Sequence, residues 1–294
     1  MTQTGRTGRS GRTAQVTPAV FLYFLLAAGC LPPRAAPAAD QDAAPTPGAG
    51  WQYRVYQQDL PGVDNLVVAA DGALYATQEL ADGKGKIVRI RDGKVETLVS
   101  GLDRPDGLFA GGKYLYVTEE VSDGRVIEIN TRTGGQRVLE TLNKPEGIGM
   151  LPDGGLVVSE DTVNGRLIRL RANGAFEVIT GGLNRPEGLA VARDGAIYFA
   201  ETGTGRVLSY KDGAMDTVVD DLEEPDQVRF APDGALWITE DTKPGRLLRF
   251  HDGALEVVMT GLVYPQGIAF TANGAVLVAE QGRGRILAIT EAEQ

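Results

Sequence analysis

Leu183-Asn184-Arg185-Pro186-Glu187-Gly188-Leu189-Ala190-Val191-Ala192-Arg193-Asp194-Gly195-Ala196-Ile197-Tyr198-Phe199-Ala200-Glu201 is the stretch that decides the fold. It joins a Pro-acid-Gly step, a short apolar strand, an Asp-Gly turn and a second apolar strand that ends in an acid. With variation the pattern recurs six times, at a spacing of about 40 residues. The copies run Leu60–Gly101, Leu102–Thr141, Leu142–Gly182, Leu183–Asp221, Leu222–Gly261 and Leu262 to the end.

Each copy carries four short strand patterns, A to D. Asp-Gly or Asn-Gly pairs close the A–B hairpins, as at Asp71-Gly72, Asp153-Gly154 and Asn273-Gly274, and such pairs tolerate positive φ at both central positions. Strand B is apolar and aromatic (Leu236-Trp237-Ile238), a Gly-Arg opens strand C (Gly245-Arg246-Leu247), and a second turn (Asp252-Gly253) leads to strand D (Leu255-Glu256-Val257-Val258). Four antiparallel strands repeated at this spacing describe an all-β, six-bladed β-propeller. Copy six lacks strand D, and Trp51–Gln57 is an orphan strand before copy one. Giving that strand to the last blade closes the ring and removes two sheet edges.

Residues 1–29 read as a leader. Arg6, Arg9 and Arg12 precede an apolar run from Val16 to Ala28, of signal-peptide length. The run ends in Leu26-Ala27-Ala28-Gly29-Cys30, which resembles a bacterial lipobox and makes Cys30 the lipidated residue. Residues 30–50 are rich in Ala and Pro and read as a tether, reaching about 60–70 Å when extended. The expected address is the bacterial cell envelope, at its periplasmic or extracellular face, with the propeller spanning residues 51–294. Cys30 is the only cysteine, so there is no disulfide framework.

The formal charge is −10, and the leader holds three arginines and no acid, so the propeller is more acidic still. That balance disfavours nucleic acid as a partner and favours cations or neutral ligands.

Strand A starts on one face of the ring, B returns to it and C leaves from it. Three sets of side chains therefore share that face. The inner set, opening strand A, is Asp64, Asp106, Glu146, Glu187, Asp226 and Gln266. The second, ending strand B, is Gln78, Glu119, Glu160, Glu201, Glu240 and Glu280. The third, opening strand C, is Lys86, Arg125, Arg166, Arg206, Arg246 and Arg285. Two readings are open. In one, the strand-B acids pair with the strand-C cations and are structural. In the other, acids converging on a narrow channel need a cation or raised pKa values, and all-oxygen ligands suit Ca²⁺ foremost, or Mg²⁺. Arg104, Lys144 and Arg185 precede the prolines of copies two to four, whereas Glu224 and Tyr264 stand there in copies five and six. This gives a rim basic on one side, able to orient an anionic ligand. The lone histidine, His251, falls in a C–D turn on the opposite face, which excludes a Ser-His-Asp triad at the mouth.

The repeated Pro-Glu-Gly-Leu-Ala, Asp-Gly-Ala-Leu and Gly-Arg-Leu elements resemble the six-bladed propeller superfamily of gluconolactonase/senescence-marker-protein-like and NHL-repeat proteins. Pro232-Asp233-Gly234-Ala235-Leu236-Trp237-Ile238-Thr239-Glu240 also resembles virginiamycin B lyase repeats. The gluconolactonase resemblance implies a metal at the inner strand starts, polarising a lactone carbonyl, with a neighbouring carboxylate as base. Carried over by position, Asp64, Glu146, Glu187 and Asp226 hold the metal, and Asp226 and Glu187 are the catalytic candidates. Asp106, Glu119, Glu160, Arg185, Glu201 and Glu240 are the candidates for substrate contact. The family's Glu-Gly-Pro-x-Trp is replaced here by Val63-Asp64-Asn65, and its Asn-Gly by Glu146-Gly147 and Glu187-Gly188. The NHL resemblance implies instead a binding propeller for a protein or envelope ligand.

Overall fold

A computed structural model describes residues 43–171 and 174–292. The leader and Cys30 lie outside the described residues. Six antiparallel sheets follow one another along the chain. Blade four is typical: strand A is Pro186–Val191, B is Ile197–Glu201, C is Arg206–Lys211 and D is Ala214–Val219. Strand A of each blade contacts strand A of both neighbouring blades, blade six against blade one included, so the ring is closed around a channel lined by the A strands.

The closure uses the orphan strand. Trp51–Gln57 pairs antiparallel with Arg285–Glu291, setting Trp51 opposite Glu291 and Val55 opposite Leu287. Trp51 also packs edge-on against Trp237 of blade five, with ring centroids 5.5 Å apart, and its indole N–H donates to Glu256 Oε1 at 2.6 Å. The last residues of the stretch read as tether belong to the same seam: Thr46–Pro47 adds a short fifth strand to blade five, opposite Thr260 and Met259.

Apolar residues of strands A to C fill the spaces between blades. Val157 and Leu167 of blade three meet Leu189, Phe199 and Leu208 of blade four. The outer D strands begin with runs of consecutive exposed residues, leaving side chains such as Val95, Val138 and Phe176 in solvent. The two kinds of hairpin differ. In the two-residue C–D turns of blades one, four and five both central residues have positive φ, as at Asp212 (49°) and Gly213 (87°). In the A–B turns only the glycine does, as at Gly195 (87°), while the aspartate caps the turn through Ala196 N–H to Asp194 Oδ1 at 3.2 Å. The longer A–B loop explains the difference: its Asp occupies an ordinary right-handed position and works as a side-chain acceptor.

Candidate functional site

Every blade breaks its A–B register just where strand A begins. Pro145 faces Glu160 and Ile148 faces Val158, so Glu146 and Gly147 together oppose one residue of strand B. The same shift occurs at Val63/Leu66, Pro105/Leu108, Pro186/Leu189, Pro225/Val228 and Pro265/Ile268. Such a bulge re-aims its side chain, and here the residue on it is the inner-set acid or Gln266. The glycine that follows allows the blades to meet: a Cβ at Gly147 would lie 2.5 Å from the carbonyl oxygen of Glu187 in the next blade. Strand-B hydroxyls lock the arrangement. Ser159 Oγ donates to that Glu187 carbonyl at 2.6 Å, and Thr118 Oγ1 donates to the Glu146 carbonyl at 2.5 Å.

Asp64, Asp106, Glu146, Glu187 and Asp226 are all buried at the channel. Asp64 Oδ1, Asp106 Oδ1, Glu146 Oε1 and Asp226 Oδ1 are buried with no hydrogen-bond partner. Burial first, then mutual repulsion, pushes all four well above the usual carboxylate range. Burial also raises Glu187 to about 8, against the opposing pull of Thr202 and Arg185.

The strand-B acids stand elsewhere. Glu119, Glu160, Glu201 and Glu240 pair with the arginine that opens strand C of their own blade. Arg125 reaches Glu119 at 2.5 Å, Arg166 reaches Glu160 at 2.6 Å, Arg206 reaches Glu201 at 2.6 Å, and Arg246 holds Glu240 through two nitrogens. Each carboxylate also accepts a backbone N–H from the link between blades, as Asp103 N–H to Glu119 at 2.8 Å and Glu223 N–H to Glu240 at 2.8 Å. These acids tie blades together, and their oxygens are engaged away from the channel axis.

A tier that the sequence reading passed over takes their place. Side chains alternate along a strand end, so the residue after each strand-B acid turns to the mouth. The set is Glu79, Glu120, Asp161, Thr202, Asp241 and Gln281. The signal was present as the doublets Glu119-Glu120, Glu160-Asp161 and Glu240-Asp241. Their backbones are pinned by the residues before the prolines: Glu120 N–H donates to Arg104 O at 2.9 Å and Asp161 N–H to Lys144 O at 2.9 Å. Those pre-proline residues hold left-handed φ, 44° at Arg104, 50° at Lys144 and 53° at Arg185. Their side chains form a continuous ion-pair run. Arg104 bridges Glu79 and Glu120 at 2.5 Å each, Lys144 bridges Glu120 (2.9 Å) and Asp161 (3.3 Å), and Arg185 bridges Asp161 (3.2 Å) and Glu187 (2.6 Å). The expected basic rim is therefore already neutralised by this second tier. On the side of blades five and six, burial raises Asp241 to about 6.

Two groups of three carboxylates bring oxygens within 4.8 Å of one another: Asp64, Glu79 and Asp106, and Glu146, Asp161 and Glu187. The structure thus joins Asp64 with Asp106, and Glu146 with Glu187. It places Asp226 in neither group, though it repels Glu187 and Asp106. The second group already has Lys144 and Arg185; the first has Arg104 and the Gln281 amide, which donates to Asp64 at 2.7 Å and Glu79 at 3.0 Å. Hard oxygen donors with unpartnered buried atoms and no nitrogen or sulfur ligand fit a divalent cation such as Ca²⁺ or Mg²⁺.

No protein-family model matches the chain, and neither does any curated protein. Solved structures share its fold. A gluconolactonase from Xanthomonas campestris superposes with a TM-score of 0.72 at 16% identity, covering 88% of this chain and 99% of the other. A Staphylococcus aureus virginiamycin B lyase, inactivated by a histidine-to-alanine change and bound to quinupristin, gives 0.60 at 18% identity, covering 82% and 100%. A PQQ-bound aldose sugar dehydrogenase from Streptomyces coelicolor gives 0.64 at 15% identity, covering 84% and 100%.

Proposed function

We propose that this propeller is a divalent-cation-dependent hydrolase of a small lactone or ester, working at the acidic end of its channel and held at the bacterial cell envelope by a lipidated Cys30. The observation that carries the reading is the set of buried carboxylate oxygens without partners on Asp64, Asp106, Glu146 and Asp226. Leaving such groups ionised and unpaired is costly, and a bound cation removes the cost. Asp64, Glu79 and Asp106 are the first-choice ligands, because fewer side-chain cations already serve them. Glu146, Asp161 and Glu187 face them with the second set of oxygens. When bound, the cation supplies Lewis-acid polarisation of a carbonyl oxygen.

The protein's own groups handle the proton. Asp226, with an unpartnered oxygen, takes a proton from water as the water oxygen bonds to the carbonyl carbon. The ester C–O bond breaks, and the same proton passes to the departing alkoxide. Glu187 is fixed for a role beside it: Thr202 Oγ1 donates to its Oε2 at 2.5 Å and Arg185 to its Oε1 at 2.6 Å. A histidine-dependent reaction gains no support. His251 ends strand C of blade five, away from the acids, and lies 3.6 Å from Asp252.

A second reading, a non-catalytic propeller that binds a protein or envelope ligand, is favoured by one observation. The ion-pair run from Glu79 to Glu187 is complete without any ligand. One experiment separates the two. The full-length chain is stripped with chelator, dialysed and titrated with Ca²⁺, Mg²⁺ and Mn²⁺ while its melting temperature is followed, and a lactone and ester panel is then assayed. The hydrolase reading expects a saturable rise, lost in Asp64→Asn, and turnover lost in Asp226→Asn. No stabilisation by any cation leaves the binding reading.

A further inference from the structure

The opposite half of the channel carries a charge that the acidic end does not use. Four residues beyond the start of strand A, the six blades present Val67, Phe109, Gly149, Ala190, Arg229 and Ala269. Five are apolar or glycine, and one is an arginine. Arg229 is part-buried, and no carboxylate lies within ion-pair distance of it among the described residues. Among the described residues its hydrogen bonds are long ones from one nitrogen, 3.4 Å to Asn65 Oδ1 and 3.5 Å to Leu66 O. Asn65 Oδ1 is meanwhile engaged by Leu66 N–H at 3.1 Å. A guanidinium has five donors in a planar fork, so most of this one is free to face a ligand.

It faces a cavity of about 180 Å³, whose other walls are Leu66, Val67, Val68, Ile268, Ala269 and Phe270. These residues close strand A of blades one and six, so the cavity lies toward the hairpin end, away from the acids. Burial alone lowers Arg229, to about 10, which leaves it charged at neutral pH. Arg104, Lys144 and Arg185 differ on this point, since each already has two carboxylates. We propose that Arg229 and the apolar walls around it form a second ligand site, which takes a small monocarboxylate with an apolar body. The fork pairs with the carboxylate, and the walls cover the remainder. The site stands whether or not the acidic end hydrolyses anything.

Calorimetry on metal-free full-length chain tests this, with benzoate as the probe and benzyl alcohol as the neutral control. Expected is saturable benzoate binding that weakens by about tenfold or more in Arg229→Met, stays within a few-fold in Arg229→Lys, and is unmoved by Glu187→Gln. Equal affinity in Arg229→Met overturns the proposal, as does the lack of saturable binding by the unaltered chain. Should Arg229→Met not fold, crystals of the unaltered chain grown with 4-bromobenzoate decide. A bromine anomalous peak beside Arg229 supports the site, and a peak elsewhere or none overturns it. Cation stabilisation is a separate measurement, so failure here leaves the acidic end untouched.

Discussion

Gln281 Nε2 donates to Asp64 Oδ2 at 2.7 Å, joining residues 217 positions apart at the seam where blade six meets blade one. At the matching place blades two, three and five carry Glu120, Asp161 and Asp241. The amide therefore gives Asp64 a donor where a repeat-true acid would give repulsion, yet it leaves Asp64 Oδ1 without a partner. That remaining oxygen is the one a cation would take.

Replacing this amide by an acid exchanges the donor for a charge. Gln281→Glu is expected to lower the melting temperature of chelator-stripped protein by several degrees, because like charges at this distance repel. The same change is expected to tighten Ca²⁺ binding by about tenfold, since ligand charge sets affinity for this ion. Thermal melts of stripped protein check the first effect and calorimetric titration with Ca²⁺ the second. Unchanged Ca²⁺ affinity would place the cation away from Asp64.

The pH dependence of stability follows from the raised carboxyls. Glu187 is pushed to about 8 and Asp241 to about 6. A carboxyl raised on folding keeps its proton longer in the folded chain than in the unfolded one. Its contribution is intact below the unfolded value and declines as pH climbs to the folded value. Stripped protein should therefore lose stability steadily from about pH 5 to pH 8. Saturating Ca²⁺ at Asp64, Glu79 and Asp106 should lessen that decline, through the raised Asp64 and Asp106, without removing the part carried by Asp241. Thermal melts across this range, with and without the ion, give the answer; a flat profile for stripped protein would contradict the burial of uncompensated acids.

The strand-B pairs should behave as structure alone. Glu240 is fully buried and satisfied by Arg246 and by Glu223 N–H. Removing its charge in Glu240→Gln is expected to cost about 2–4 kcal/mol, the range for breaking one partner of a buried pair, reduced because Arg246 is partly exposed. Cation affinity should not change. Denaturant melts and a Ca²⁺ titration on one variant test both halves, and a loss of affinity would move Glu240 into the site.

The ring should open at its seam. Trp51 joins blade six to Trp237 and Glu256 of blade five. Trp51→Ala is expected to cost about 3 kcal/mol, with hydrogen exchange rising first in residues 51–57 and 285–291. Uniform loss of protection across all blades would show that closure is not carried by this strand.

The fold was legible in the chain because a repeat states its own architecture. Asp-Gly turns mark hairpins, alternation marks faces, and a missing fourth strand beside an orphan one marks closure. The inner acids Asp64, Asp106, Glu146, Glu187 and Asp226 were legible too, since each opens strand A after the same step. Which other carboxylates join them was not. Glu119 and Glu120 are neighbours of like charge, and only the alternation at a strand end, set by the register with the next strand, sends one to Arg125 and the other to the mouth. Nor could sequence order reveal that Arg104, Lys144 and Arg185 are consumed by ion pairs while Arg229 is not. Local pattern determined the strands and the ring by itself. The charge balance at the channel was decided by tertiary structure, because it depends on distances of a few ångströms between side chains from different blades.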